Sequence, residues 1–335
     1  MDIAALGQQQ LLPWQQPIWQ RLQQSFPEIG HGLLFYGKQG CGKQQFAAYF
    51  AKWLLCSHKT PQGACGQCNH CAWFAAGTHP QLKIIQAEFD EKKQSYAAIK
   101  IDQIREIADF VQQKVEGWRV VLLYPAENLN IAAANALLKT LEEPGDRIVL
   151  ILMSDAMLRL PATIRSRVQQ YALDRVTTQQ AQDYLQQQGI KDVAQSQVAL
   201  ALAANMPLKA QQILDAEWFK HREAFIKDLT SLVQQKNYPM KFSAYWTKQM
   251  DIRDILVLLR YIVQDCIAYK LQQPMKQIDL NFDALQACYD LEQLFAIYAH
   301  INKIQIMLAQ NVQAQLILDE LTIQLMNIEQ IRSDA

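Results

Sequence analysis

Gly37-Lys38-Gln39-Gly40-Cys41-Gly42-Lys43-Gln44 has the outline of a phosphate-binding loop: a glycine, four intervening residues, then Gly-Lys. It follows the apolar run Leu33-Leu34-Phe35-Tyr36 and precedes a helical pattern from Phe46 to Leu55. Strand, glycine-rich turn and helix are what such a loop needs, because the turn aims backbone N–H groups and a helix N-terminus at an anion. The final position departs from the pattern. A loop that supports hydrolysis ends in Ser or Thr, whose hydroxyl ligates Mg²⁺, and here Gln44 stands in that place. Gly37, Gly40, Gly42 and Lys43 are therefore candidate phosphate-binding residues of a degenerate loop, empty or weakly binding.

Working outward, the first strand is expected over His31 to Tyr36 and the helix from about Lys43 to Cys56. Upstream, Leu12-Pro13-Trp14 and Ile18 to Leu22 read as a short amphipathic helix that packs and does no more. Downstream, strands are expected at Gln81 to Ala87, Arg119 to Tyr124 and Ile148 to Met153, with a polar loop from Glu88 to Ser95. Ile101, Ile104, Ile107, Ala108 and Val111 recur at helical spacing, which predicts a helix from Ile101 to Gln113. Lys100 and Arg105 near its start read as a solvated charged face, with phosphate contact the lesser alternative. Strands alternating with helices imply an α/β fold with a parallel sheet.

The end of the Arg119 to Tyr124 strand bears on chemistry. A nucleotide hydrolase delivers there an Asp that holds Mg²⁺ and, in this type of ATPase, a Glu that polarises the attacking water. This chain has Tyr124-Pro125, with Glu127 displaced into the next loop. Metal ligands are thus missing from two separate segments, and together the losses argue against hydrolysis.

Cysteines cluster in one short stretch: Cys56, then Cys65-Gly66-Gln67-Cys68-Asn69-His70-Cys71. Two intervening residues between cysteines make a knuckle whose thiolates point the same way, so Cys56, Cys65, Cys68 and Cys71 read as ligands of a structural Zn²⁺. Adjacent side chains diverge, which sets His70 aside as a ligand. A four-thiolate site leaves no open position for water and stabilises the fold rather than catalysing. Cys266 and Cys288 stand alone and read as core residues.

Composition bounds the remaining choices. A chain of 335 residues suggests about two or three domains, and 50% hydrophobic content supplies their cores. Thirty-two basic and thirty-two acidic residues cancel to zero net charge, so there is no global electrostatic case for nucleic acid as an autonomous ligand. Met1-Asp2-Ile3 lacks the start of a signal peptide, and no apolar run reaches membrane-spanning length. A soluble cytoplasmic protein is expected, with no membrane partner. Beyond Ala172 the pattern is helical: Thr177-Thr178 caps a helix to about Gln188, two short helices reach roughly Leu214, and longer ones follow at Ile252 to Leu271, Phe282 to Ala309 and Asn311 to Ile331.

Further signatures lie in Thr78-His79-Pro80, in Asn135-Ala136-Leu137-Leu138-Lys139-Thr140-Leu141-Glu142-Glu143-Pro144 and in Thr163-Ile164-Arg165-Ser166-Arg167-Val168. Taken in order with the loop and the cysteines, they resemble the clamp-loader subunits of bacterial DNA polymerase III, in the AAA+ superfamily. Gln44 and Tyr124-Pro125 place the sequence with the delta-prime branch, which has lost ATP hydrolysis. Leu208, in Asn205-Met206-Pro207-Leu208-Lys209-Ala210, stands where an ATPase subunit has a sensor arginine.

The resemblance implies an AAA+ domain over 1–172 with a zinc module at 56–71, a three-helix lid over 173–214 and a helical collar over 215–335, through which subunits associate. It implies that Arg167 acts as an arginine finger on ATP bound by a neighbouring subunit, although the family's Cys after this arginine is Val168 here. The implied partners are the ATPase subunits, the clamp-opening delta subunit, the sliding clamp and primed DNA. Two alternatives stay open on the residues alone: a self-sufficient ATPase using Lys43, and a zinc-dependent nucleic-acid binder. Nucleotide binding without hydrolysis is also open.

Overall fold

The computed structural model describes residues 2–91, 94–112, 116–234, 238–308 and 313–326. It separates into two compact units, one of Met1–Asp90 with Gln94–Ala181, the other of Glu91–Lys93 with Gln182–Ala335.

The first unit is built on a parallel sheet. Its strands are β1 (Gly32–Tyr36), β2 (Leu82–Gln86), β5 (Arg119–Tyr124), β6 (Ile148–Ser154) and β7 (Gln169–Ala172), while β3 (Phe89–Asp90) and β4 (Ser95–Tyr96) form a separate hairpin. The order is β2-β5-β6-β1-β7, with every neighbouring pair parallel. All residues of β5 and β6 are buried, and both faces being covered explains the apolar runs over residues 120–123 and 148–153; the buried polar residues at the strand ends, Arg119 and Ser154, are hydrogen-bonded.

Alternate residues of β1 serve opposite faces. Leu34 joins one core with Val121, Leu123, Leu150 and Leu152, covered by the helices Ile101–Gln112 and Ile131–Glu142. Phe35 points the other way, 5.0 Å from Phe46 and 6.2 Å from Phe50 of the helix Lys43–Leu55, with Tyr171 of β7 at 5.9 Å. Helices on both faces of a parallel sheet put the loops at the C-terminal strand ends, where open α/β sheets place their ligands.

Two features depart from the sequence-based reading, and one edge strand carries a weaker pattern than the inner strands. The segment Glu88 to Ser95, expected as a polar loop, carries the short β3–β4 hairpin, whose facing residues Phe89 and Tyr96 stack edge-on at 5.1 Å. Strand β7 has only Tyr171 fully buried, so its Gln-Gln-Tyr-Ala sequence lacks the apolar signature of the inner strands. The expected helix from Phe282 to Ala309 is divided into Asp283–Gln286 and Leu291–Met307. Asp290 and Gln293 exchange side chain to backbone hydrogen bonds of 2.8 Å in a reciprocal cap, which starts a new helix there. Gln113, Ala309, Asn311 and the helix end at Ile331 lie outside the described residues.

The second unit is helical among its described residues, with Val193–Leu202, Pro207–Asp215, Glu217–Val233, Pro239–Gln249, Ile252–Lys270, Leu291–Met307 and Ala314–Met326 as its main elements. Ile255, Leu258, Leu259, Ile262 and Cys266 are buried along one stripe, whereas Cys288 is only half-buried. No helix among the described residues is long and apolar enough to cross a membrane. Replacing Phe35 by Ala should lower unfolding free energy by about 3–5 kcal/mol. Replacing Ile131, which is 83% exposed, should change it by less than about 0.5 kcal/mol. Thermal and urea unfolding of the two variants measures the contrast.

Candidate phosphate loop, cysteine cluster and exposed arginine

The loop leaves β1 and turns into the helix Lys43–Leu55 through Gly37, Gly40 and Gly42, at φ of 152°, 88° and 84°. Such values exclude most side chains. At Gly37 space is the second constraint, since a Cβ would lie 2.9 Å from the Cβ of Asp174. Lys38 N–H donates to Asp174 Oδ2 at 3.2 Å, so a carboxylate already abuts the loop.

Lys43 is 4% exposed and folds back into its own loop. Its ammonium donates to the carbonyls of Gly37 (3.2 Å) and Lys38 (3.5 Å) and forms an ion pair with Asp155, just beyond β6. Asp155 is fixed from the far side. Tyr124 Oη donates to its Oδ2 at 3.0 Å, and Asp155 N–H donates to Glu127 Oε1 at 2.9 Å. Burial, reinforced by the Asp155 charge, pushes the Tyr124 phenol far above its ordinary value, so its hydroxyl remains a donor. Glu127 also accepts from Ala156 N–H at 3.2 Å and thereby braces the turn after β6. The structure thus brings Lys43 and Tyr124 together through Asp155 and uses Glu127 as a backbone acceptor.

The N-terminal segment, read from sequence as packing only, also reaches the loop. Trp14 Nε1 donates to Cys41 O at 2.9 Å and Gln15 Nε2 to Gly42 O at 3.0 Å. Cys41 is fully buried beneath them, and that burial pushes its thiol upward.

The sulfurs of Cys56, Cys65, Cys68 and Cys71 all lie within 4.8 Å of one another, forming a group that could hold a metal ion. Neighbouring pairs are 3.5 Å (Cys56 to Cys65), 3.8 Å (Cys56 to Cys68) and 3.9 Å (Cys65 to Cys71) apart. Zn–S bonds of about 2.3 Å in a tetrahedron require sulfurs about 3.8 Å apart, so the four thiols fit that metal. Backbone N–H groups converge on the sulfurs, with Cys65 N–H 3.3 Å from Cys56 Sγ. At Cys68, burial raises the thiol, but hydrogen bonds led by the N–H groups of Cys71 and Ser57 outweigh it and draw it down to about 5. His70 lies outside this group, its Nδ1 3.0 Å from Nε2 of the buried His79.

Arg167 sits between the short helix Ala162–Arg165 and β7. Its side chain is 38% exposed, and Glu142, which ends the helix Ile131–Glu142, receives Nε and Nη2, each at 2.7 Å. Nη1 donates to Thr163 O at 3.0 Å. The guanidinium is therefore held at the surface in one orientation. Arg105, the candidate phosphate contact near a helix start, pairs with exposed Asp102 at 2.9 Å. Leu208 lies in the first turn of the helix Pro207–Asp215.

Sequence reading missed Asp155, Asp174, Trp14, Gln15 and Glu142. A signal for Asp155 existed: an acidic residue just beyond the apolar run 148–153 of a central strand stands where a parallel sheet gathers its functional groups.

These features define an α/β protein with a phosphate-loop turn whose lysine is engaged internally. Comparison then places it among known proteins. A family profile described as DNA polymerase III, delta subunit, matches residues 14–177. The chain is 36% identical over 239 residues to DNA polymerase III subunit delta' of Pseudomonas aeruginosa, covering 70% of this chain and 71% of that one. It is 29% identical over 266 residues to the subunit delta' of Haemophilus influenzae, covering 78% and 79%. It is also 34% identical over 159 residues to subunit tau/gamma of the same organism, covering 47% and 22%. The chain belongs to the DNA polymerase III delta' family.

Tyr124→Phe removes one hydrogen bond to a charged acceptor and leaves the ring, so it should cost about 1.5–3 kcal/mol, measured by urea unfolding.

Proposed function

We propose that this chain is the non-hydrolysing delta-prime subunit of the DNA polymerase III clamp loader, helping to load the sliding clamp on primed DNA. In this reading residues 1–172 form an AAA+ domain without hydrolytic competence, 173–214 a helical lid and 215–335 a collar for association. Its partners would be the ATPase subunits and the clamp-opening delta subunit. Similarity both to delta' proteins and to a tau/gamma subunit supports membership of such an assembly.

One contrast carries the proposal: a half-exposed, oriented Arg167 coexists with a loop that has Gln44, Tyr124 and Pro125 where metal and water would be managed. Phosphoryl transfer depends on metal and charge placed at the transferring group. A chain that keeps the guanidinium but not the metal ligands can contribute to a neighbour's reaction and not to one of its own. Arg167 would reach phosphate oxygens of ATP in the adjacent subunit and offset charge as the bond to the leaving group breaks. A guanidinium suits this task because it remains charged and presents several donors in one plane. Glu142 would hold it ready.

The cysteine group would hold a structural Zn²⁺ through Cys56, Cys65, Cys68 and Cys71. Bound there, zinc would tie the end of the helix Lys43–Leu55 to the helix Asn69–Ala75. Lys59, whose ammonium donates to Cys56 O at 2.6 Å, would offset part of the thiolate charge.

In a reconstituted loader, Arg167→Ala should slow the facing ATP site by about 10³-fold while leaving assembly mass unchanged. Unchanged ATPase in a correctly assembled complex would remove the finger. Metal analysis of the purified chain should give about one zinc per molecule. Cys68→Ser should lower both that content and the melting temperature. Because thiolates must protonate to release the metal, zinc retention should fail as pH is lowered, not raised.

A further inference from the structure

We infer that Asp155 fills, from inside the chain, the role that a phosphate plays at the lysine of a phosphate-binding loop, and that the loop becomes a polyphosphate site only when this carboxylate is removed. The inference rests on the proposed reading only in taking the loop to have lost its metal ligands.

The first support is the saturation of Lys43. An ammonium has three donors, and the carbonyls of Gly37 and Lys38 with the carboxylate of Asp155 supply three acceptors. The side chain is 5% exposed, so no donor is spared for solvent or ligand. Binding a phosphate there requires breaking an ion pair, and the released carboxylate would then face the incoming anion at close range.

The second support is that Asp155 cannot easily yield. Tyr124 grips its other oxygen, and Glu127 holds its backbone N–H. Tyr124 also stands at the end of β5, where a hydrolase would carry its metal-binding Asp. One substitution therefore removes a metal ligand and supplies the hydrogen bond that fixes the internal carboxylate. A metal-binding Asp at that position would instead repel Asp155.

The third support is Asp174. Its carboxylate accepts the Lys38 N–H and packs against Gly37 so closely that a Cβ there would collide with it. Two carboxylates border a loop built from N–H groups and a lysine. A polyphosphate approaching this loop meets negative charge already in place.

Asp155→Asn retains shape and an acceptor for Tyr124 while removing the charge, so it should unmask Lys43. The test uses the full chain with inorganic pyrophosphate and ADP as probes, read by thermal shift and calorimetry. The native chain should show no ligand-dependent rise in melting temperature at millimolar probe. Asp155→Asn and Asp155→Ser should melt lower without ligand and gain a saturable rise with it, binding at least about tenfold tighter than the native chain. Adding Lys43→Met should abolish the gain. A native chain that binds pyrophosphate as tightly as the variants would overturn the inference, as would folded variants that gain nothing or a gain that survives loss of Lys43.

A second measurement needs no variant. Amine acetylation followed by peptide mass analysis should label Lys43 at least about tenfold more slowly than the exposed Lys38, with no change on adding pyrophosphate. Equal labelling rates, or protection by pyrophosphate, would also overturn it. Neither experiment involves Arg167 or partner subunits, so failure here leaves the finger proposal standing, and failure of the finger leaves this one standing.

Discussion

The turn from β1 into the helix Lys43–Leu55 is the constraint on which the amino-terminal unit depends. Its path requires positive φ at Gly37, Gly40 and Gly42, and it delivers Phe46 and Phe50 against Phe35 on one face of the sheet. The same turn carries Lys43 inward, where an unpaired ammonium would be strongly destabilising. Asp155 resolves that cost. The loop can thus be retained for its geometry whether or not it receives a ligand, because the architecture satisfies the lysine from within.

How much of this was readable from residues differs by element. Strands β1, β5 and β6 were plain because burial on both faces leaves unbroken apolar runs. The edge strand β7 was not, since only Tyr171 turns fully inward. The divided helix near Asp290 carried a legible capping signal, Asp290 followed three residues later by Gln293, that helical periodicity across the segment concealed. The four cysteines announced themselves by spacing, and their sulfurs do converge.

The candidate site was legible as a set of residue types and illegible as a network. Gln44, Tyr124 and Pro125 could be read as losses from sequence alone. What Tyr124 does instead depends on Asp155, 31 residues away along the chain, and such pairings are set by strand register rather than by local pattern. Glu142 and Arg167 are separated by 25 residues and meet because one ends a helix while the other precedes an edge strand. Trp14 and Gln15 reach across 27 and 26 residues to Cys41. An amphipathic pattern explains why their segment packs, but not that it grips the loop.

On this account the chain keeps the architecture of a nucleotide-binding protein while its proposed chemical contribution moves to a surface arginine. The most direct measurement is ATP turnover by the purified chain alone, with Mg²⁺ and no other subunit. The account expects no turnover above background. Steady hydrolysis that disappears on changing Lys43 to Ala would contradict it, because the loop would then be working with a metal site that Gln44 and Tyr124 should not support.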